Sequence, residues 1–224
     1  MSALRPPSNL TFHLSPGWHT LRILWEEFWG YATWGDPTQN QARLVQLLAL
    51  FDDWCVARAL PYWIDFGVLL GAQRHGTLIP WDHDLDVGML SADFRLLVDE
   101  CERLKSAGEL EFEWACSGTY RVNYRDVWVD VFEWEQRGDW LAPTISQADR
   151  EGDPTYADHP VQDVLPIGTL PVSGRWFPTP ARPDACLRRY YGDYARLPFI
   201  PMLFYGLFHP IRAGKLFFTQ QVKT

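Results

Sequence analysis

Cysteine is scarce in this chain and poorly spaced for metal. Cys55, Cys101, Cys116 and Cys186 lie far apart with no CxxC pair, which disfavours a structural zinc site. They read as reduced thiols of a cytoplasmic protein, with Cys101 on the apolar stripe of a predicted helix. A basic surplus is also missing. Lys and Arg number 20 against 28 Asp and Glu, a net charge of -8. A general nucleic-acid binder needs a basic face to displace counterions, so no nucleic-acid partner is expected. The N-terminus has no basic region followed by an apolar stretch, so no secretory signal is expected. Long apolar runs are lacking as well. The most apolar stretch, Leu197 to Phe208, is broken by Pro198 and Pro201 and falls short of the ~20 residues that cross a bilayer. Its first reading is burial. With Arg212 and Lys215 just beyond it, a peripheral membrane contact is the second.

What is abundant is apolar and aromatic. Hydrophobic residues make up 47% of 224 residues, with 12 Trp among them, enough for one domain with a full core. Most of the Trp residues read as packing, and a cage for a cationic ligand stays open for a few.

Apolar spacing predicts a helix carrying Leu14, Trp18, Leu21, Trp25 and Phe28. A longer one, capped by Thr38, buries Leu44, Leu47, Leu48, Phe51 and Cys55. Tyr62 to Phe66 reads as a strand ending at Gly67, followed by a brief helix, Leu69 to Arg74, and a turn at His75-Gly76. Leu85 and Val87 alternate with acids at strand period, and Ser91 caps a helix with Phe94, Leu97, Val98, Cys101 and Leu104 on one face. Strands are predicted over Phe112 to Cys116, Tyr120 to Tyr124 and Val127 to Trp134. Residues 138–160 read as a long surface excursion, followed by strand-like runs around Leu165 and Trp176. Pro183 suits the first turn of a helix that Gly192 ends. The pattern is α+β around a small mixed sheet.

The chemistry concentrates in Pro80-Trp81-Asp82-His83-Asp84-Leu85-Asp86-Val87-Gly88. On an extended chain, residues two apart share a face, so Asp84 and Asp86 point the same way with Asp82 beside them. Crowded carboxylates repel, and burial makes that worse. A divalent cation resolves the conflict, and oxygen-only ligands favour Mg²⁺ or Mn²⁺. A solvated acidic turn would not carry Leu85, Val87 and Met89. A calcium loop would need Gly where Val87 stands, and a closing Glu. Asp130, between Trp128 and Phe132, is a carboxylate amid apolar neighbours that needs an Arg partner, Arg121 or Arg125, or a role as third metal ligand or base. Gly67 and Gly71 frame a strand-to-helix turn whose N–H groups can hold phosphate oxygens. Arg74 supplies a charge suited to phosphate.

Together these residues resemble the LicD/fukutin family. The resemblance runs through Tyr62-Trp63-Ile64-Asp65-Phe66-Gly67, Leu69-Leu70-Gly71-Ala72, Arg74-His75-Gly76, Ile79 to Asp86, Val127 to Phe132, and Leu165-Pro166 through Phe177-Pro178 to Tyr191-Gly192-Asp193-Tyr194. It covers about residues 61–198 and departs at Val68, where the family usually has Thr or Ser. The resemblance implies a nucleotidyltransferase-like mixed β-sheet core flanked by helices. Residues 1–224 then form a single domain: N-terminal helices over 1–60, a catalytic core over 61–198 and a tail over 199–224. It implies Asp84 and Asp86 as metal ligands, Asp82 supporting, and Asp130 as third acid. Arg74, Arg121 and Arg125 would bind substrate with Gly67 and Gly71, and Tyr191 and Asp193 would close the donor pocket.

The implied donor is CDP-activated, CDP-choline or a CDP-polyol such as CDP-ribitol. Phosphocholine or a polyol phosphate moves to a glycan or lipid-linked glycan hydroxyl, and CMP leaves. The aromatic content is compatible with a cage for a trimethylammonium group, a slight lean to phosphocholine, but a polyol donor could use the same aromatics for packing. Two alternatives are a conventional nucleotidyltransferase releasing pyrophosphate and an inactive nucleotide- or glycan-binding module.

Overall fold

The computed structural model describes residues 37–79, 82–105, 111–124, 127–146 and 156–194. The predicted helix around Trp18 and the apolar stretch from Leu197 lie outside these residues, as does Arg125.

Helix α1 (Pro37–Ala57) buries the expected stripe, Leu44, Leu47, Leu48, Phe51 and Cys55. It starts on a proline, whose missing N–H is no loss in a first turn. Strand β1 is only Trp63–Ile64, because Asp65 ends it. The Asp65 side chain accepts the Phe66 N–H and opens helix α2 (Phe66–His75), three residues ahead of the predicted start at Leu69. Gly76, with φ of 68°, closes α2 by donating to the Ala72 carbonyl.

Strand β2 (Leu85–Leu90) leads straight into α3 (Ser91–Lys105), which buries Phe94, Leu97 and Cys101. The Ser91 hydroxyl at its start donates to the Trp134 carbonyl at 3.2 Å. The hairpin β3 (Glu111–Cys116) and β4 (Thr119–Tyr124) precedes the long strand β5 (Val127–Arg137). The expected excursion at 138–160 is corrected at both ends: β6 (Trp140–Pro143) pairs with β5, and β7 (His159–Pro160) pairs with β6. The run around Leu165 is not a strand either. A short helix α4 (Val161–Val164) ends there, and β8 (Gly168–Val172) pairs with β9 (Arg175–Thr179) as a separate hairpin. Helix α5 (Pro183–Tyr191) stops at Gly192 as expected.

The main sheet runs β1-β2-β5-β4-β3. Among the described strands only β2 and β5 pair in parallel within it. A parallel pair needs a long return connection, supplied by α3 and the β3–β4 hairpin. Leu85, Val87, Met89, Val129 and Val131 are fully buried on one face of that pair. Burying each is worth roughly 1.5–3 kcal/mol, enough to fix which face carries the intervening acids.

Candidate active site

Asp86 and Asp130 occupy matching positions on β2 and β5. Residues in register on parallel neighbours point to the same side of the sheet, so these two carboxylates are adjacent. The row continues into β4, where Arg121 pairs with Asp130. Arg121 Nε donates to Asp130 Oδ1 and Nη2 donates to Oδ2, both at 2.7 Å. Asp84 sits just ahead of β2. Asp84, Asp86 and Asp130 each offer an oxygen within 4.8 Å of the others, and Asp82, His83 and Asp84 form a second such group.

Burial and then the charges of Asp84, Asp82 and Asp130 push Asp86 well above the usual carboxylate range. Burial also raises Asp130, against the two Arg121 hydrogen bonds. Arg121 feels the charge of Asp84 as well as that of Asp130. In the group of Asp84, Asp86 and Asp130 the donors are all hard oxygens, and a carboxylate offers about four lone-pair sites, more than its two Arg121 bonds use. This set fits Mg²⁺ or Mn²⁺.

Arg121 is held twice, since its guanidinium also lies over the Trp128 ring at 4.6 Å. The His83 ring meets the same indole edge-on at 5.7 Å. Of the two arginines expected near Asp130, Arg121 is its partner.

Gly67 sits directly above the acids. Its N–H donates to Asp86 Oδ2 at 3.2 Å, and a Cβ there would lie 2.7 Å from Asp82 Oδ2. The N–H expected to face phosphate thus faces a carboxylate. Gly71 is packed under the Thr77–Ile79 backbone, where a Cβ would meet the Thr77 carbonyl at 2.5 Å. Val68 is wholly buried in the core. Arg74 is not brought to the acids. Seven residues along α2 from Gly67, about 10 Å by helical rise, it donates through Nε to the Tyr194 carbonyl at 2.7 Å and through Nη2 to the same oxygen. Tyr191 and Asp193 are exposed around the end of α5, beside that far end of α2.

Asp65 received no role from the sequence, yet it is completely buried. Its carboxylate accepts from Phe66 N (3.0 Å), Trp63 Nε1 (3.0 Å) and the Tyr190 hydroxyl (2.8 Å). Burial raises its pKa to about 6 against these donors. The available signal was Asp65 itself, an N-cap residue type immediately before an apolar run with a glycine.

The LicD/FKTN/FKRP nucleotidyltransferase-domain model matches residues 59–182, a segment that contains every acid of this site. The chain belongs to the LicD/FKTN/FKRP family. Ribitol 5-phosphate transferase FKRP of Homo sapiens and that of Mus musculus are each 33% identical over 130 residues, 53% of this chain and 25% of theirs. The chain thus spans about a quarter of the length of those relatives. An uncharacterized protein of Rickettsia prowazekii is 24% identical over 190 residues, 77% of this chain and 65% of that one. The crystal structure of ANT(2")-Ia with adenylyl-2"-tobramycin is similar over 80% of this chain and 98% of its own, at 15% identity and a TM-score of 0.45. The LicD/FKTN/FKRP chain described here is α+β, a nucleotidyltransferase-like mixed sheet flanked by helices. Among the described residues no helix is long and apolar enough to cross a membrane.

Proposed function

We propose that this LicD/FKTN/FKRP chain is a divalent-metal-dependent phosphotransferase. It would move a polyol phosphate, ribitol phosphate first, from a CDP-activated donor to a glycan or lipid-linked glycan hydroxyl. The observation that carries this reading is the in-register pair Asp86 and Asp130 with Asp84 within 4.8 Å. The name of the FKRP relatives supports ribitol phosphate over phosphocholine. Trp128, two residues before Asp130, already has a guanidinium over its ring, which counts against a choline cage there.

Asp84 and Asp86 would hold the ion, Asp82 beside them and Asp130 within reach. When bound, Mg²⁺ or Mn²⁺ would neutralise the donor's pyrophosphate charge and leave positions for its oxygens. Asp130 has a second duty: burial raises its affinity for a proton, which suits an Oδ atom taking the acceptor hydroxyl's proton. Arg121 keeps that carboxylate aimed and offsets charge developing on phosphorus. The acceptor oxygen forms a bond to the polyol-bearing phosphorus in line, the bridging P–O bond breaks, and CMP leaves with the bridging oxygen.

The test is incubation with Mg²⁺ or Mn²⁺ and CDP-ribitol, CDP-glycerol, CDP-choline or CTP, with Asp84→Ala as control. CMP released from CDP-ribitol and lost in the control supports the proposal. CMP from CDP-choline alone would move the donor to choline, and pyrophosphate from CTP would replace the reaction class.

A further inference from the structure

The end of α5 and the residues just after it touch both ends of α2. At the C-terminal end, Arg74 donates to the Tyr194 carbonyl. At the N-terminal end, the Tyr190 hydroxyl donates to Asp65 Oδ1. Tyr190 and Tyr194 both lie past residue 182, beyond the segment that matches the family.

The N-terminal contact bears on the acids through a strained turn. Phe66 has φ of +36°, a region that bulky L-residues avoid and that costs of the order of 1–3 kcal/mol unless the surroundings enforce it. Two groups enforce it here. The Asp65 carboxylate takes the Phe66 N–H, and the Phe66 ring is wedged between Tyr190 at 4.6 Å and Phe132 at 4.9 Å. The same turn touches β2 twice. Asp65 N–H donates to the Asp86 carbonyl at 3.0 Å, and Gly67 N–H donates to the Asp86 carboxylate. Asp86 is thus aimed by a backbone that Asp65 shapes and Tyr190 braces.

We propose that Tyr190 is a positioning residue for the metal-binding carboxylates. Its hydroxyl holds Asp65, Asp65 holds the Phe66–Gly67 turn, and the Gly67 N–H orients the Asp86 carboxylate. This rests on the metal-dependent reading of the site. Groups bonded directly to metal ligands typically change affinity 10–100-fold when removed, and Tyr190, acting through Asp65 and the Gly67 N–H, belongs at the low end of that range.

The test is Mn²⁺ binding to the full chain, read from the electron paramagnetic resonance signal of free Mn²⁺, with no donor present. Wild type, Tyr190→Phe and Asp84→Ala are compared, each with its thermal midpoint. Tyr190→Phe keeps the ring contacts and removes only the hydroxyl. The expected result is roughly tenfold weaker Mn²⁺ binding in a variant that still unfolds cooperatively near the wild-type midpoint. A purely structural tyrosine would lower the midpoint and leave the affinity of the folded protein unchanged, and that result overturns the proposal. Should Tyr190→Phe fail to fold, Asp65→Asn decides by the same two outcomes. If wild type binds Mn²⁺ no better than Asp84→Ala, the metal-dependent reading itself falls and takes this inference with it. Wild-type binding with an unaltered Tyr190→Phe removes the inference alone.

Discussion

Asp86 and Asp130 stand side by side on β2 and β5, in register and on the same face, with Arg121 next in the row on β4. Arg121 grips Asp130 at two points, through Nε and Nη2. Asp86 is left with the Gly67 N–H and the repulsion of its neighbours.

That imbalance makes the metal-free protein less stable than it could be. The folded state raises the Asp86 pKa, so it binds the proton more tightly than the unfolded chain does. Stability from this group is fully present below the ordinary carboxylate value, near 4, and is lost as pH rises through the higher folded value. Asp86→Asn removes the loss. Without metal at pH 7 its melting temperature is expected to rise by roughly 2–4 °C, the equivalent of about 1 kcal/mol at this chain size. Mg²⁺ is expected to raise the wild-type melting temperature and leave the variant's unchanged. Calorimetry with and without Mg²⁺ checks both, and a Mg²⁺ response that survives in Asp86→Asn would remove Asp86 from the ligand set.

Arg121 should matter to the fold as well as to the chemistry. Arg121→Ala leaves Asp130, whose side chain is 9% exposed, without its charge partner. Losing one member of a fully buried pair costs about 3–5 kcal/mol. Arg121 itself is 27% exposed, so water reaches the site and a loss of about 2–4 kcal/mol in urea denaturation is expected. Arg121→Leu with Asp130→Leu should recover most of that stability and no activity. A single variant as stable as wild type would show that the pair contributes little.

Much of this was legible in the chain. The helical stripe ending at Cys55 and the alternation of Leu85 and Val87 with aspartates are local patterns, and each named its element. The resemblance placed the acids as one group. What stayed hidden depends on partners far apart in sequence. Asp65 meets Tyr190 across 125 positions, and no local period reports that. Arg74 looked like a phosphate ligand because it is close to the acids in sequence, but a ten-residue helix carried it to the far end. The strand β6 is apolar and mostly buried, but it is four residues long and ends on a proline, and β7 is only two residues, too short for a local period to show.

A close approach in β2 gives a sharp test of the packing. A Cβ on Gly88 would lie 2.3 Å from the Trp63 indole, and Trp63 is only 1% exposed. The indole cannot simply move away, because its N–H is bonded to Asp65 and its ring packs on Trp134. Gly88→Ala is therefore expected to cost about 1–3 kcal/mol by overpacking. Trp63→Phe in the same chain should relieve part of that cost, so the two changes together should be less destabilising than their sum. Additive losses in urea denaturation would place the strain elsewhere.

His159 provides a pH signature of the core. It is fully buried, both ring nitrogens lack hydrogen-bond partners among the described residues, and it packs between Trp134 and Tyr190. Burial first, then the charge of Arg189, pushes its pKa down to about 4. The unfolded chain takes the proton near 6.5, so His159 contributes full stability above that pH and loses it as pH falls toward 4, by up to ~3 kcal/mol. Asp65 works in the opposite sense. Its folded value of about 6 lies above the ordinary 3.8, so its contribution is present below 3.8 and is lost as pH rises through 6, by a similar ~3 kcal/mol. Between pH 4 and 6.5 the two slopes nearly cancel in the wild type. His159→Phe removes one of them. Relative to wild type, the variant should therefore gain about 2–3 kcal/mol between pH 7 and pH 4.5, whatever its offset at pH 7. Urea denaturation at pH 7, 5.5 and 4.5 reads this directly, and a difference that does not change with pH would mean that His159 titrates normally in the folded protein.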